Sequence, residues 1–396
     1  MARPQQQVGD LLADRIAVGV LARAFPPQLV DRVVDRSGVR EQRRRALPAR
    51  VVVYYLLAMV LFFQSGYGEV WAKLDAGLAW ARLFDIGPRR RMPPTPAAIT
   101  YARKRLGWQV MAALLEEAAG PQAGEEQRRL HISGMRVVAL DEARLSLPDT
   151  PENASVFGYP RDYPGPGSSP QARVVALGEC GTSAVLGAGM FGAASDETPL
   201  IQKLLEKLTP GDLLLADSRL CPPDLLGHVI AAGVHVLWQA GAAEDLPRLG
   251  ALPDGTYLSR LADPATQAGT PQAGTPQAST GRGGTDPGIA VRVIAYAGEG
   301  QEPAADSEML VLVTDLTDAR VLPAAAGIAA HASRWRLAAC FNALKPSSPG
   351  RSAVVLRSKS SDLIRQEVHA MLCCYQAMRA LINHEAADPP PGAISR

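Results

Sequence analysis

From Leu11 to about Gly120, apolar positions such as Ile16, Val20 and Leu21 return at helical spacing, and no strand-like alternation persists. Pro26-Pro27, Pro48 and the cluster from Pro93 to Pro96 punctuate this stretch, so the pattern predicts an all-helical N-terminal region. Its longest apolar run, Val51 to Phe63, is 13 residues. That is short of the roughly 20 needed to cross a bilayer, and a buried helix is expected instead.

Beyond a polar join at Pro121 to Arg129 the texture changes. Arg136-Val137-Val138-Ala139-Leu140 predicts a buried strand that stops at Asp141. Strands at Ala172 to Leu177 and Ser183 to Met190 flank the turn signal Glu179-Cys180-Gly181-Thr182, which suggests a hairpin. A helix starts at Ser195-Asp196-Glu197 with Pro199 in its first turn, carries Leu200, Ile201, Leu204, Leu205 and Leu208 on one face, and ends at Pro210-Gly211. Leu213 to Ala216 then read as a strand ending in Asp217, followed by a helix from about Pro222 to Ala232 and a strand from Val234 to Trp238. Strands alternating with helices argue for an α/β layer. Ile289 to Tyr296 and Met309 to Thr314 are expected strands; Ala324 to Leu344 and Asp362 to Asn383 are expected helices. Between them, Asp263 to Gly288 holds a tandem Gln-Ala-Gly-Thr-Pro run with nothing to pack, expected as a disordered excursion.

Composition narrows the class. The chain has 396 residues, 47% hydrophobic, enough for two or three globular domains. The net charge is +2, but residues 1 to 130 carry 20 Lys and Arg against 12 Asp and Glu, so the first third is strongly basic and the rest acidic. A basic third fits a segment that follows nucleic-acid phosphates; a solvated arginine-rich surface is the alternative. The clusters Arg43-Arg44-Arg45, Arg89-Arg90-Arg91 and Arg103-Lys104-Arg105 are the candidate contacts. Five cysteines without a C-x-x-C pair fit a reducing cytoplasm, and the start MARPQQQVGD has no apolar core behind a basic flank, so neither a signal peptide nor a membrane partner is expected.

Two strands that each end in aspartate, Asp141 and Asp217, could present both carboxylates at one sheet edge and share a divalent metal, although an aspartate can equally well just end a strand. Trp238 and Trp335 could stack on bases or pack in a core. No Gly-x-Ser-x-Gly elbow, phosphate-binding glycine loop or His-rich zinc motif is present, which argues against hydrolase classes built on them.

Several segments make the chain resemble the insertion-sequence 4 family of DDE transposases. They are Leu47-Pro48-Ala49-Arg50-Val51-Val52-Val53-Tyr54 with Gly68-Glu69-Val70, then Val138-Ala139-Leu140-Asp141 followed by Pro148-Asp149-Thr150-Pro151-Glu152-Asn153. Leu213-Leu214-Leu215-Ala216-Asp217, Val354-Val355-Leu356-Arg357-Ser358-Lys359 and Arg365-Gln366-Glu367 complete the set. The resemblance implies an α/β ribonuclease H-like catalytic domain with a β-rich insertion, preceded by an all-α N-terminal domain. The corresponding boundaries are 1–125 for a helical DNA-binding domain, 130–243 for the first part of the catalytic domain, 244–320 for the insertion with its repeat at 263–288, 321–386 for the helical end and 387–396 for a tail. It implies Asp141 and Asp217 as the first two ligands of Mg²⁺ or Mn²⁺, double-stranded DNA (the element's terminal inverted repeats) as partner, and a homodimer on DNA.

The family's third carboxylate lies on a helix with the pattern Tyr, two residues, Arg, three residues, Glu, six residues, Lys. Here Arg334 and Lys345 match in register, while His331 stands at the Tyr position and Ala338 at the Glu position. Arg334 and Lys345, eleven residues apart, fall on nearly one helical face and are expected to clamp backbone phosphates, with His331 bonding a phosphate too. Alanine cannot coordinate a metal, so catalysis is expected to be impaired; neither Glu142, on the opposite face of its strand, nor Glu367 is expected to replace the ligand. Two readings follow: a transposase of diminished activity, or a catalytically inactive or domesticated DNA-binding remnant.

Overall fold

The computed structural model describes residues 5–43, 45, 47–80, 93–118, 131–160, 169–193, 195–241, 246–262, 288–297, 309–334 and 356–387. Among these residues six helices come first: α1 (Gln5–Ala24), α2 (Pro27–Arg36), α3 (Ala49–Leu61), α4 (Tyr67–Trp80), α5 (Pro96–Leu106) and α6 (Gln109–Ala118). Prolines open several of them, Pro48 just before α3 and Pro96 at the start of α5, where the missing N–H costs nothing. Thr95 caps α5 by accepting from the Ala98 N–H at 3.2 Å. The apolar run expected as a buried helix is α3, whose residues from Val51 to Met59 are all buried. No described helix is long and apolar enough to cross a membrane.

The rest of the described residues build a nine-stranded sheet with flanking helices. In chain order come β1 (Val137–Ser146), α7 (Pro151–Phe157), β2 (Gln171–Glu179), β3 (Val185–Gly192), α8 (Thr198–Leu205), β4 (Leu213–Asp217), α9 (Pro223–Ala231), β5 (His235–Gln239), β6 (Gly250–Ala251), β7 (Tyr257–Ala262), β8 (Gly288–Ala297), β9 (Met309–Thr314), α10 (Ala324–Ser333) and α11 (Ser361–Ala387). The strand order is β3-β2-β1-β4-β5-β9-β8-β7-β6. The three strands β1, β4 and β5 run parallel, and the pairs on both sides of them are antiparallel. The strands expected as an insertion therefore continue the main sheet, because β9 bonds directly to β5.

The sheet separates two cores. Odd-numbered residues such as Val137, Ala139, Leu213, Leu215 and Leu237 join the larger one, shared with α1 to α6 and α11. Even-numbered neighbours such as Val138, Leu140, Leu214, Ala216 and Trp238 join the smaller one under α8 and α9. The long helix α11 is buried almost all round from Val368 to Ala377 and packs on α3, α5 and α6 as well as on β3, so it belongs to the helical region as much as to the sheet. Its polar side chains join the two: the Gln366 amide donates to the Arg103 and Gly107 carbonyls at 3.1 and 3.0 Å, and the Arg379 and Asn383 side chains donate to the Thr182 carbonyl in the β2–β3 turn.

One strand boundary differs from expectation. β1 does not stop at Asp141 but runs on to Ser146, because β2 pairs with it along its whole length, as far as Ser146 with Gln171. Its parallel neighbour β4 does end at Asp217. The tandem repeat at 263–287 and the C-terminal tail lie outside the described residues.

Candidate functional site

The site forms where β4 ends. β1 pairs Val137, Val138 and Ala139 with Leu213, Leu214 and Leu215, and the same offset carried on two residues sets Asp141 level with Asp217. β4 pairs Asp217 with Gln239 on β5. Alternate strand residues face opposite sides, so all three polar residues lie on the larger-core face, in one row across three neighbouring strands.

Asp141 is half-buried, and its Oδ1 accepts the Glu142 N–H at 2.9 Å. Burial pushes its pKa above the usual aspartate range; the Arg334 guanidinium and the Glu142 N–H oppose this, and the neighbouring Asp217 charge adds to it. Asp217 anchors a turn: its Oδ1 accepts the Leu220 N–H at 3.0 Å and its backbone carbonyl accepts the Cys221 N–H at 2.9 Å. Its Oδ2 faces two guanidinium groups, Arg334 at 3.5 Å and Arg219 at 3.9 Å. Arg334 is the residue after α10, placed there because its N–H bonds back to the His331 carbonyl at 3.1 Å.

His331, one turn earlier, is buried. Its Nδ1 lies 2.9 Å from the Tyr296 hydroxyl of β8 and its Nε2 lies 3.2 Å from Gln239 Oε1. Burial, helped by the Arg334 charge and opposed by Asp217, lowers its pKa to about 4, so the ring is neutral near pH 7. Oε1 can only accept, which places the ring hydrogen on Nε2 and makes Nδ1 the acceptor of the Tyr296 O–H. Expected to touch a phosphate, His331 has instead spent both ring nitrogens inside the fold.

Glu142 lies on the opposite face, as expected. Arg173 donates to its Oε2 from Nε and Nη2 at 2.8 and 2.5 Å, and Arg219 donates to its Oε1. Burial pushes the pKa of Glu142 up, but the bonds from Arg173 and Arg219 outweigh it and hold the carboxyl below the usual range. Glu367 is also spent internally, accepting from the Arg357 and Ser358 N–H groups and from the Ser358 hydroxyl.

The basic clusters divide. Arg43 and Arg45 are exposed on a cleft of about 320 Å³ bounded by Asp31, Arg40 and Arg50, and Lys104 is exposed on α5. Arg103 corrects the sequence reading: it is buried, and its guanidinium is spent inside the fold, donating to Gln366 Oε1, the Ser358 hydroxyl, the Leu363 carbonyl and the Tyr67 hydroxyl. Arg105 is partly buried and donates to the Leu47 carbonyl at 2.5 Å, with Glu41 at 3.4 Å. Trp238 packs in the smaller core with its Nε1–H on the Cys221 carbonyl at 2.8 Å, so it is no base-stacking surface. Arg44, Arg89 to Arg91, Trp335, Ala338 and Lys345 lie outside the described residues. Sequence reasoning missed Gln239, Tyr296 and Arg219. Gln239 alone carried a signal: it follows an apolar strand just as Asp217 does.

The sheet thus brings two carboxylates and a guanidinium together on the face it shares with the helical region. Residues 15–116 match the family profile for the insertion element 4 transposase N-terminal region. Over 360 residues, 89% of this chain and 74% of the relative, the sequence is 26% identical to "Transposase InsG for insertion sequence element IS4" of Escherichia coli (strain K12). A second chain of that bacterium, "Putative transposase InsZ", is 26% identical over 220 residues, 55% of this chain and 70% of its own. Among solved structures, the piggyBac transposase in a synaptic complex with hairpin DNA gives a TM-score of 0.44 at 9% identity, covering 93% of this chain and 75% of that one. The chain is thus similar to insertion element 4 transposases, in its N-terminal region by the profile and over most of its length by the first Escherichia coli relative.

Proposed function

We propose that the chain is the transposase of a bacterial insertion sequence, binding the element's terminal inverted repeats as double-stranded DNA and built to cut and join DNA by phosphoryl transfer, with that chemistry impaired by Ala338. One observation carries the reading: Asp141 and Asp217 share a level and a face, with Arg334 against Asp217. A mixed sheet whose added β-strands precede the helix that Arg334 follows supports the ribonuclease H-like assignment.

The donor set decides what the site can hold. Among the described residues no group of three or more His, Cys, Asp or Glu side chains could hold a metal ion. Two carboxylates suit a single hard cation, Mg²⁺ or Mn²⁺, completed by water and phosphate oxygens. A bound cation would neutralise charge on the phosphate and make a water or 3′ hydroxyl more acidic. Asp141 and Asp217 are the residues that would hold it. Arg334, whose planar fork of donors matches a phosphate, can exchange its long contact with Asp217 for a phosphodiester oxygen. Lys345 would extend the same clamp, and the exposed Arg43, Arg45 and Lys104 offer phosphate contacts along the flanking duplex. Assembly as a homodimer on DNA and a cytoplasmic location complete the proposal.

The test is a pair of assays on the purified chain. It binds a duplex from the element's own end more tightly than a scrambled duplex, and with Mg²⁺ or Mn²⁺ it cuts that duplex barely or not at all. Equal binding to both duplexes contradicts the first half; efficient cutting contradicts the second.

A further inference from the structure

Gln239 stands in the same row as Asp141 and Asp217, yet no part of the family resemblance assigns it a role. Its register partner is Asp217, and its backbone carbonyl accepts the Ser218 N–H at 3.0 Å, so its Cα is fixed beside the carboxylate. Its side-chain oxygen accepts from His331 Nε2 at 3.2 Å, and His331 in turn accepts from the Tyr296 hydroxyl at 2.9 Å. The Tyr296 and His331 rings also meet edge to face at 6.4 Å between centroids. An amide whose oxygen is held has its nitrogen turned the other way. The Gln239 Nε2 makes no hydrogen bond to any described residue, although two N–H donors sit at a half-buried position beside Asp217. A donor held in that orientation by its own oxygen's partner is free to donate to an acceptor brought beside Asp217.

We propose that Gln239 is a substrate-contacting residue whose amide N–H₂ donates to a non-bridging oxygen of the DNA phosphate brought to Asp141 and Asp217, with His331 and Tyr296 as the positioning residues that fix its orientation; the proposal rests on the transposase reading above. The acceptor is anionic and the donor neutral, so the contact binds a phosphodiester without adding to the charge that Arg334 already supplies. The chain of bonds also gives β8, in the strands added beyond β5, a direct connection to the site.

The test measures affinity of the full chain for a duplex spanning the element end, in EDTA so that no metal bridges the contact. Two versions of the duplex are compared, one natural and one with an uncharged methylphosphonate at the phosphate joining element and flanking DNA. Gln239→Met, which keeps length and packing, weakens binding of the natural duplex about tenfold, the scale of a hydrogen bond to a charged group, and leaves binding of the methylphosphonate duplex close to that of the parent. Tyr296→Phe weakens natural binding by about threefold by freeing the imidazole. The Gln239→Met/Tyr296→Phe pair is no worse than Gln239→Met alone, because both act through one contact. Thermal unfolding of each variant separates a lost contact from a lost fold. Equal losses on both duplexes, additive losses in the double variant, or no loss in Gln239→Met at an unchanged melting temperature overturns the role of Gln239 alone. Failure of the unsubstituted chain to prefer the element end over a scrambled duplex overturns the transposase reading, and this inference with it.

Discussion

Asp141 and Glu142 are chemically alike and adjacent in one strand, yet the sheet gives them opposite fates. Glu142 faces α8 and α9 and is consumed by Arg173 and Arg219, while Asp141 faces the row of Asp217 and Gln239 and keeps one oxygen without a partner among the described residues. The same division recurs in the helical region, where Arg103 is spent on Gln366, Ser358 and Leu363 and its neighbour Lys104 is left in solvent. Charges consumed by the fold hold it together; charges left over are the ones available for chemistry or for DNA.

The largest stability effect should fall on the consumed carboxylate. Glu142→Ala removes the hydrogen bonds that a buried carboxylate accepts from Arg173 and from the half-exposed Arg219, and bonds to charged groups contribute about 1.5 to 3 kcal/mol each. Urea unfolding should show this loss, while Asp141→Asn at pH 7 is at least as stable as the parent. Next comes Arg103→Ala, which strands acceptors on α11 and on Ser358 just before it and should cost about 2 to 4 kcal/mol. Lys104→Ala should leave the unfolding midpoint unchanged.

Acid titration sharpens the comparison further. Glu142 has a lowered pKa in the fold, so its contribution is complete above the ordinary glutamate value of about 4.3 and is lost as pH falls from there through the folded value. Asp141 has a raised pKa, so its buried charge opposes folding at neutral pH, and that penalty disappears as pH falls through the raised value. Glu142→Gln should therefore flatten the acid limb of the stability curve, and Asp141→Asn should raise the neutral plateau. The smallest effects belong to the surface: Arg43→Ala, Arg45→Ala and Lys104→Ala each lower the slope of log affinity for duplex against log salt by about 1, uniformly across DNA sequences. A salt slope unmoved by all three would remove this face from the DNA contact.

The sequence made much of this division legible, and its failures have physical causes. The apolar run ahead of Asp217 places the end of β4, and the turn signal at Glu179 to Thr182 places the β2–β3 hairpin. The continuation of β1 to Ser146 was hidden because Asp141-Glu142-Ala143-Arg144 replaces an apolar run with charge, and the cross-strand pairing that sustains it comes from β2, some 30 residues later. The apolar runs at Ile289 to Tyr296 and Met309 to Thr314 mark two of the added strands but not what they pair with, so the extension of the main sheet from β5 could not be read. Arg103 reads as one of three surface cations because the side chains that bury it, Ser358 and Gln366, lie about 260 residues away. The row of Asp141, Asp217 and Gln239 needed the register between β1, β4 and β5, which no local pattern carries.

The central claim, that Asp141 and Asp217 are the available carboxylates of a site lacking its third, is tested most directly by cleavage of the element-end duplex in Mn²⁺ by Ala338→Glu protein. Restored charge stabilisation at a phosphoryl transition state should raise the rate at least about tenfold over the unmodified chain, each 1.4 kcal/mol being one factor of ten. Adding Asp141→Asn or Asp217→Asn to that protein should abolish the gain, whereas changes confined to Lys104 leave it intact. Cleavage by the unmodified chain at the same rate, or a gain that survives the loss of either aspartate, would contradict the account.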